Sequence, residues 1–137
     1  MKVFIDTNIL VDVLEQRQPF YLHSANIIEH GILGDYILVV SPLTIINPLY
    51  ITRKTLGKDI AKEKIMQLLT YCEIAPMTEK EMLTALSMQN QDTEDNLQYC
   101  SAESAQCDVI ITRNPKDFPI INNNILVPQD FITKYFQ

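Results

Sequence analysis

Short apolar runs alternate along this chain with stretches in which apolar residues return every three or four positions. The runs lie at 2–5 (KVFI), 36–40 (YILVV), 73–75 (EIA), 109–112 (VIIT) and 125–127 (ILV), and each reads as a strand, the third most weakly. Between them, helical spacing covers 8–15 (apolar at 9, 10, 13 and 14), 20–32, 41–56, 59–71, 78–88, 93–106 and 128–136. Gly31 and Gly34 stop the second of these helices, Gly57 separates the third from the fourth, and Thr78 with Glu81 forms a capping-box pattern at the start of the fifth. No repeat, low-complexity tract or Gly/Ser linker interrupts the series, so residues 1–137 are expected to form a single α/β domain. Strands alternating with helices imply a mostly parallel sheet covered on both faces. In such sheets ligands bind beyond the carboxyl ends of the strands, which makes the search for a site geometric.

Composition changes this picture little. A hydrophobic fraction of 47% with 20% charged residues is that of an ordinary soluble protein. The apolar start at 1–10 is broken by Asp6, and no later apolar stretch approaches membrane-spanning length, so no membrane association and a cytoplasmic location are expected. Cys72, Cys100 and Cys107 cannot all pair within the chain and lack zinc-ligand spacing. They read as reduced core thiols, with Cys100 and Cys107 spaced to share a helix face. The net charge of −6 disfavours a dedicated nucleic-acid binder, but acids gathered around a metal would account for part of it. Against that charge, Arg53, Lys54, Lys58, Lys62 and Lys64 cluster within twelve residues, as either a solvated helix face or a track for RNA phosphates. The 20–33 and 43–56 segments are apolar enough to hide a face shared by two copies of the chain.

The acids at strand ends carry the chemistry. Asp6 follows the first strand in DTNILVD; it reads as a metal ligand, or as an N-cap of the next helix, a role Thr7 fills equally well. Asp117 follows the fourth strand in VIITRNPKDF, where Asn114 and Pro115 also favour a turn. At the start of the sixth helix, Glu94 and Asp95 both complement the helix dipole. Asp95 is preferred for the site because it lies nearer the buried side, with Asp92 a weaker candidate. Asp108 stands before the fourth strand, at the opposite edge of the sheet, and is excluded.

DTNILVD, SPLTIINPLYITRK, DTEDNLQ and TRNPKDF occur in the order seen in PIN domains, the fold of VapC-type toxins, and the chain resembles that family over nearly its whole length. The resemblance implies a three-layer fold with strand order 3-2-1-4-5 and a ribonuclease dependent on Mg²⁺ or Mn²⁺, often silenced by an antitoxin. By position it implies that Asp6 and Asp95 are the first and third family acids. The second falls on Asn47 and the fourth on Asn114, with Asp117 three residues beyond as its substitute. Asn47-Pro48 also reads as a helix N-cap followed by proline at the first helical position.

On this reading Asp6, Asp95 and Asp117 bind one Mg²⁺ or Mn²⁺, and Asn8, Asn47, Thr112 and Asn114 hold waters or phosphate oxygens. Two other classes compete. An aspartyl-phosphate phosphohydrolase would use Asp6 as nucleophile with Lys116 as its cation, but has Asn8 where a second Asp is wanted. A non-catalytic PIN module binding RNA or a protein would explain the amides at Asn47 and Asn114.

Overall fold

The first apolar run becomes the middle of a sheet. In the computed structural model, which describes residues 1–90, 92–120 and 122–136, β1 (Lys2–Ile5) lies between β2 (Ile37–Val40) and β4 (Val109–Ile111). β3 (Cys72–Ile74) and β5 (Ile125–Leu126) form the two edges, giving the order 3-2-1-4-5 with every pairing parallel. Val3 stands opposite Leu38 on one side and Val109 on the other, which brings the ends of β1 and β4 level. The helices are α1 (Thr7–Glu15), α2 (Tyr21–Ile32), α3 (Pro42–Leu56), α4 (Lys58–Leu69), α5 (Glu79–Ser87), α6 (Thr93–Ser104) and α7 (Pro128–Phe136).

Alternation along the strands builds two cores. Val3, Ile5, Leu38, Val40, Val109 and Ile111 face Ile9 of α1, Ile27 and Ile28 of α2 and Phe131 of α7. Phe4, Val39 and Ile110 face the other way, onto Ala102 and Ala105 at the end of α6 and onto Phe118. Both faces are buried, which is why the strands read as continuous apolar runs. α3 and α4 extend the first layer through Ile45 and Leu68, and α5 packs on α6 in the second. α2 lies so close to β2 that a Cβ at Gly31 would meet Leu38 Cγ at 2.2 Å. Only glycine fits there.

Two local alternatives are decided and one expectation is corrected. α3 opens at Ser41, as the 41–56 period predicts, and not at the second cap signal, Asn47: Thr44 N donates to Ser41 Oγ at 3.1 Å and Ser41 N to Thr44 Oγ1 at 3.3 Å. Pro48 sits inside the helix, where it cannot donate to the Thr44 carbonyl; the capping box and Pro42 at the first turn are the stronger start. α1 is capped by Asp6 rather than Thr7. Cys107 lies beyond α6, past the left-handed residue Gln106, so it does not share a helix face with Cys100. All three cysteines are free thiols, and burial pushes Cys72 up to about 11 and Cys107 up to about 12. Among the described residues, no helix is long and apolar enough to cross a membrane.

Candidate metal centre and active site

Asp6 closes β1 and opens α1, so its carboxylate stands at the carboxyl edge of the sheet with only 6% of the residue exposed. Oδ1 accepts from Thr7 N at 2.7 Å and from Gln98 Nε2 at 3.4 Å, while Oδ2 accepts from Thr112 Oγ1 at 2.8 Å. A carboxylate offers about four lone-pair directions, so one remains free on Oδ2. Gln98 is itself fully buried; it donates to Thr44 Oγ1 at 3.2 Å and accepts from Ser41 Oγ. The start of α3, the middle of α6 and the ends of β1 and β4 therefore meet in one buried polar network beneath Asp6. Burial raises the Asp6 pKa, against the lowering effect of these three donors.

The other acids arrive on two elements. Asp92 caps α6 by accepting from Asp95 N at 3.0 Å, which turns the first helical turn, with Glu94 and Asp95, toward the same edge. Asp117 ends a 3₁₀ turn, Pro115–Asp117, with its N–H donating to the Asn114 carbonyl at 3.1 Å. Phe118 plugs this loop into the second core. From the other side Asn90 Nδ2 donates to the Asp117 carbonyl and to Asn96 Oδ1, both at 3.0 Å. Asn96, fully buried, donates back to the Asn90 carbonyl at 3.2 Å and to that of Ala85 at 3.4 Å. This pair of amides ties the α5–α6 loop to the loop carrying Asp117. Arg113 fixes the opposite flank, its Nε 3.1 Å from Asp12 Oδ2 and its guanidinium 4.1 Å from the Phe20 ring centroid.

The result is a cleft lined by Asp6, Thr7, Asn8, Arg17, Ile51, Asp92, Glu94, Asp95, Asn114 and Asp117 among others. Within it Asp92, Asp95 and Asp117 each present one oxygen within 4.8 Å of the other two. Asp6 borders this trio without belonging to the tight group. Burial, then the charges of Asp6, Asp92 and Asp117, push Asp95 up to about 8. Glu94 is raised by burial and by Asp6 and Asp92, while Asn47 Nδ2 donates to its Oε1 at 2.6 Å. An all-oxygen group of crowded carboxylates, one of which must keep a proton in the absence of a counter-charge, fits a hard divalent cation.

A family profile described as "PIN domain" matches residues 2–116. The chain belongs to the PIN domain family. A curated relative, "Ribonuclease VapC1" of Aquifex aeolicus (strain VF5), is 27% identical over 139 residues, covering 98% of this chain and 95% of that protein. Among solved structures, a chain from the crystal structure of VapBC2 from Rickettsia felis bound to a DNA fragment from their promoter superposes with a TM-score of 0.65 at 20% identity. That match covers 92% of this chain and 97% of the other. A chain from DNA-bound VapBC of Salmonella typhimurium gives 0.63 at 14% identity, covering 92% and 96%.

In this PIN domain the residues singled out from sequence are distributed unevenly. Asp6, Asp95, Asp117, Asn8 and Asn114 line one cleft, with Thr112 just beneath it on Asp6. Asn8 Oδ1 accepts from Arg113 N at 3.3 Å, and Thr112 Oγ1 accepts from Asn114 N at 3.2 Å. Asn47 reaches the cleft through Glu94. Asp92, rated weaker from sequence, stands in the tight trio, and Glu94, passed over in favour of Asp95, faces the cleft as well. Asp108 lies at the far edge, accepting from Lys2 N at 2.8 Å. Lys116 is exposed and does not line the cleft, which leaves the phosphohydrolase reading without its cation. Arg53, Lys54, Lys58, Lys62 and Lys64 are exposed on α3 and α4 and none lines the cleft. Arg17, which does, carried no sequence signal beyond its charge.

Proposed function

We propose that residues 1–137 act as a single PIN-like domain that cleaves RNA with Mg²⁺ or Mn²⁺, in the cytoplasm, as the toxin of a toxin–antitoxin pair. Family membership and the ribonuclease name of the curated relative support the reaction class. The VapBC complexes among the fold neighbours support an antitoxin partner. The observation that carries the metal assignment is the Asp92, Asp95 and Asp117 trio, with oxygens within 4.8 Å of one another at the carboxyl edge of the sheet. Asp95 and Asp117, with Asp92, would hold the ion, and Asp6 would reach it or a water on it through the free direction of Oδ2. Bound there, the cation supplies positive charge at the scissile phosphate and lowers the pKa of water.

The protein's own groups do the rest. Thr112, Gln98 and the Thr7 N–H hold Asp6 in one orientation, so that no reorganisation is needed when substrate arrives. The side-chain amides of Asn8 and Asn114 offer hydrogen bonds to phosphate oxygens or waters at the same edge. Glu94, held by Asn47, supplies a carboxylate beside the position where the family pattern has its second acid. Arg53, Lys54, Lys58, Lys62 and Lys64 would track phosphates farther along the RNA. The exposed Leu22 of α2 and Leu33 at its C-cap, with Ile46 and Tyr50 of α3, support pairing with a second copy.

The test is cleavage of a mixed RNA pool by the purified chain. Cutting is expected with Mn²⁺ or Mg²⁺, none in chelator, and a loss of at least about 100-fold in Asp95→Asn and in Asp117→Asn. A parent that leaves every RNA intact in Mn²⁺ rejects the nuclease in favour of a non-catalytic binding module.

A further inference from the structure

Among the described residues lining the acidic cleft, a single side chain is cationic. Arg17 follows α1, after the left-handed residue Gln16 (φ 52°). Its N–H donates to the Asp12 carbonyl at 3.0 Å, and its own carbonyl accepts from Phe20 N at 3.0 Å and Tyr21 N at 2.7 Å. The backbone at Arg17 is thus pinned to both the end of α1 and the start of α2. Its side chain is held as firmly: Nε lies 2.8 Å and Nη2 2.7 Å from Glu15 Oε1. Glu15 is in turn braced by Thr55 of α3, whose Oγ1 donates to Oε2 at 2.7 Å. The side chain of Glu15 is 10% exposed and that of Arg17 42%, so the carboxylate is the buried anchor and the guanidinium the exposed end. A guanidinium has five N–H donors. Glu15 engages one edge, and no other described residue bonds the remainder.

With its guanidinium exposed the pair adds little to stability, and the free N–H donors at the cleft have no bonding partner among the described residues. The cleft also poses a problem that Arg17 would solve. Asp6, Asp92, Glu94, Asp95 and Asp117 repel any phosphodiester, and one divalent ion offsets only part of that charge. The remaining arginines do not line the cleft, Arg113 being held by Asp12 and the Phe20 ring and Arg53 lying on α3 over the Tyr50 ring at 4.0 Å. A planar, oriented guanidinium at the rim matches two oxygens of one phosphate. We propose that Arg17 is a substrate-binding residue that takes a backbone phosphate of the RNA adjacent to the one being cut. This rests on the ribonuclease reading above. Glu15 and Thr55 are its positioning residues.

The assignment has a signature that a structural role lacks. A positive charge in the cleft favours RNA but opposes a divalent cation, so removing it shifts the two affinities in opposite directions. Binding of a labelled single-stranded RNA is read by fluorescence anisotropy in Ca²⁺ over a salt series, and Mn²⁺ binding without RNA by calorimetry. Arg17→Met is expected to weaken RNA binding about tenfold, as loss of one charged hydrogen-bonded contact does, with Mn²⁺ affinity equal or higher. The slope of log affinity against log salt should fall by about 0.7, the value for one single-strand phosphate. Arg17→Lys should keep the slope and part of the affinity. Should the Met variant melt early, Arg17→Gln carries the same comparison. RNA affinity and salt slope equal to the parent's, or a joint loss of RNA and Mn²⁺ affinity, overturns the assignment and leaves the ribonuclease reading standing. A parent that binds no RNA overturns both.

Discussion

A carboxyl held near pKa 8 among other carboxylates must give up a proton before it ligates a cation, so metal binding at Asp95 is coupled to pH. One displaced proton makes Mn²⁺ affinity rise about tenfold per pH unit between roughly pH 5 and 8 and flatten above. Calorimetry in buffers of different ionisation enthalpy should read about one proton released per ion at pH 7. An affinity independent of pH would contradict the crowding argument. The same shift has a consequence for the metal-free fold. Its folded pKa is raised above the ordinary 3.8, so the stability that Asp95 contributes is complete below that value and lost as pH rises through about 8. Asp6 and Glu94 are raised in the same sense, and the apo protein should melt earlier at pH 8.5 than at pH 6. At this scale the cleft position of Asp6 was legible in the sequence, because a carboxylate just past a buried strand has one place to go, whereas Asp117, in a turn beyond β4, was singled out through the family resemblance. Asp92 and Glu94 were harder, since an acidic first turn has its own electrostatic explanation and sequence does not say how that turn is rotated. Gln98 was invisible: its partners Asp6 and Ser41 lie 92 and 57 positions away.

Between elements, the decisive joint is the amide pair that fastens the α5–α6 loop to the turn carrying Asp117. Asn96→Ala removes its donors to Asn90 and Ala85 and leaves the Asn90 side chain with one partner fewer. Urea denaturation should register a loss of about 1–3 kcal/mol, typical of a buried polar group deprived of its bonds. Mn²⁺ affinity should fall with it, although Asn96 is no ligand, because Asp117 is then free to drift from Asp92 and Asp95. Unchanged affinity would mean that Phe118 alone fixes the turn. The elements themselves were readable to within two residues of their observed ends, since the central strands are buried runs and the helices periodic; the edge strand β3, largely exposed, gave the weakest signal. Ambiguity fell where two start signals compete. Ser41 with Pro42 and Asn47 with Pro48 are equally good openings taken singly, and only the Thr44 hydroxyl returning to Ser41 N settles which one opens the helix.

Over the whole molecule, the charge of −6 is less a property of the surface than of one edge. Acids from β1, α6 and the β4–β5 connection converge there, while the lysine-rich α4 lies apart. Layering followed from the alternation of strands and helices. Strand order did not, because which buried strands become neighbours is decided by long-range packing; it came through the family resemblance. The contact between Gly31 and Leu38 holds two of those layers at their spacing, and it carries a lesson about substitution. Position 31 is empty of atoms because position 38 is full, so the two share a single volume. Gly31→Ala should cost about 1–3 kcal/mol by overfilling that volume, and Leu38→Ala about 2–5 kcal/mol by emptying it. Combined, the added methyl moves into the vacated space, and the double variant should melt closer to the parent than the sum of the two losses allows. The pair would then drift through sequence space as one site, each residue's tolerance written by the bulk of the other.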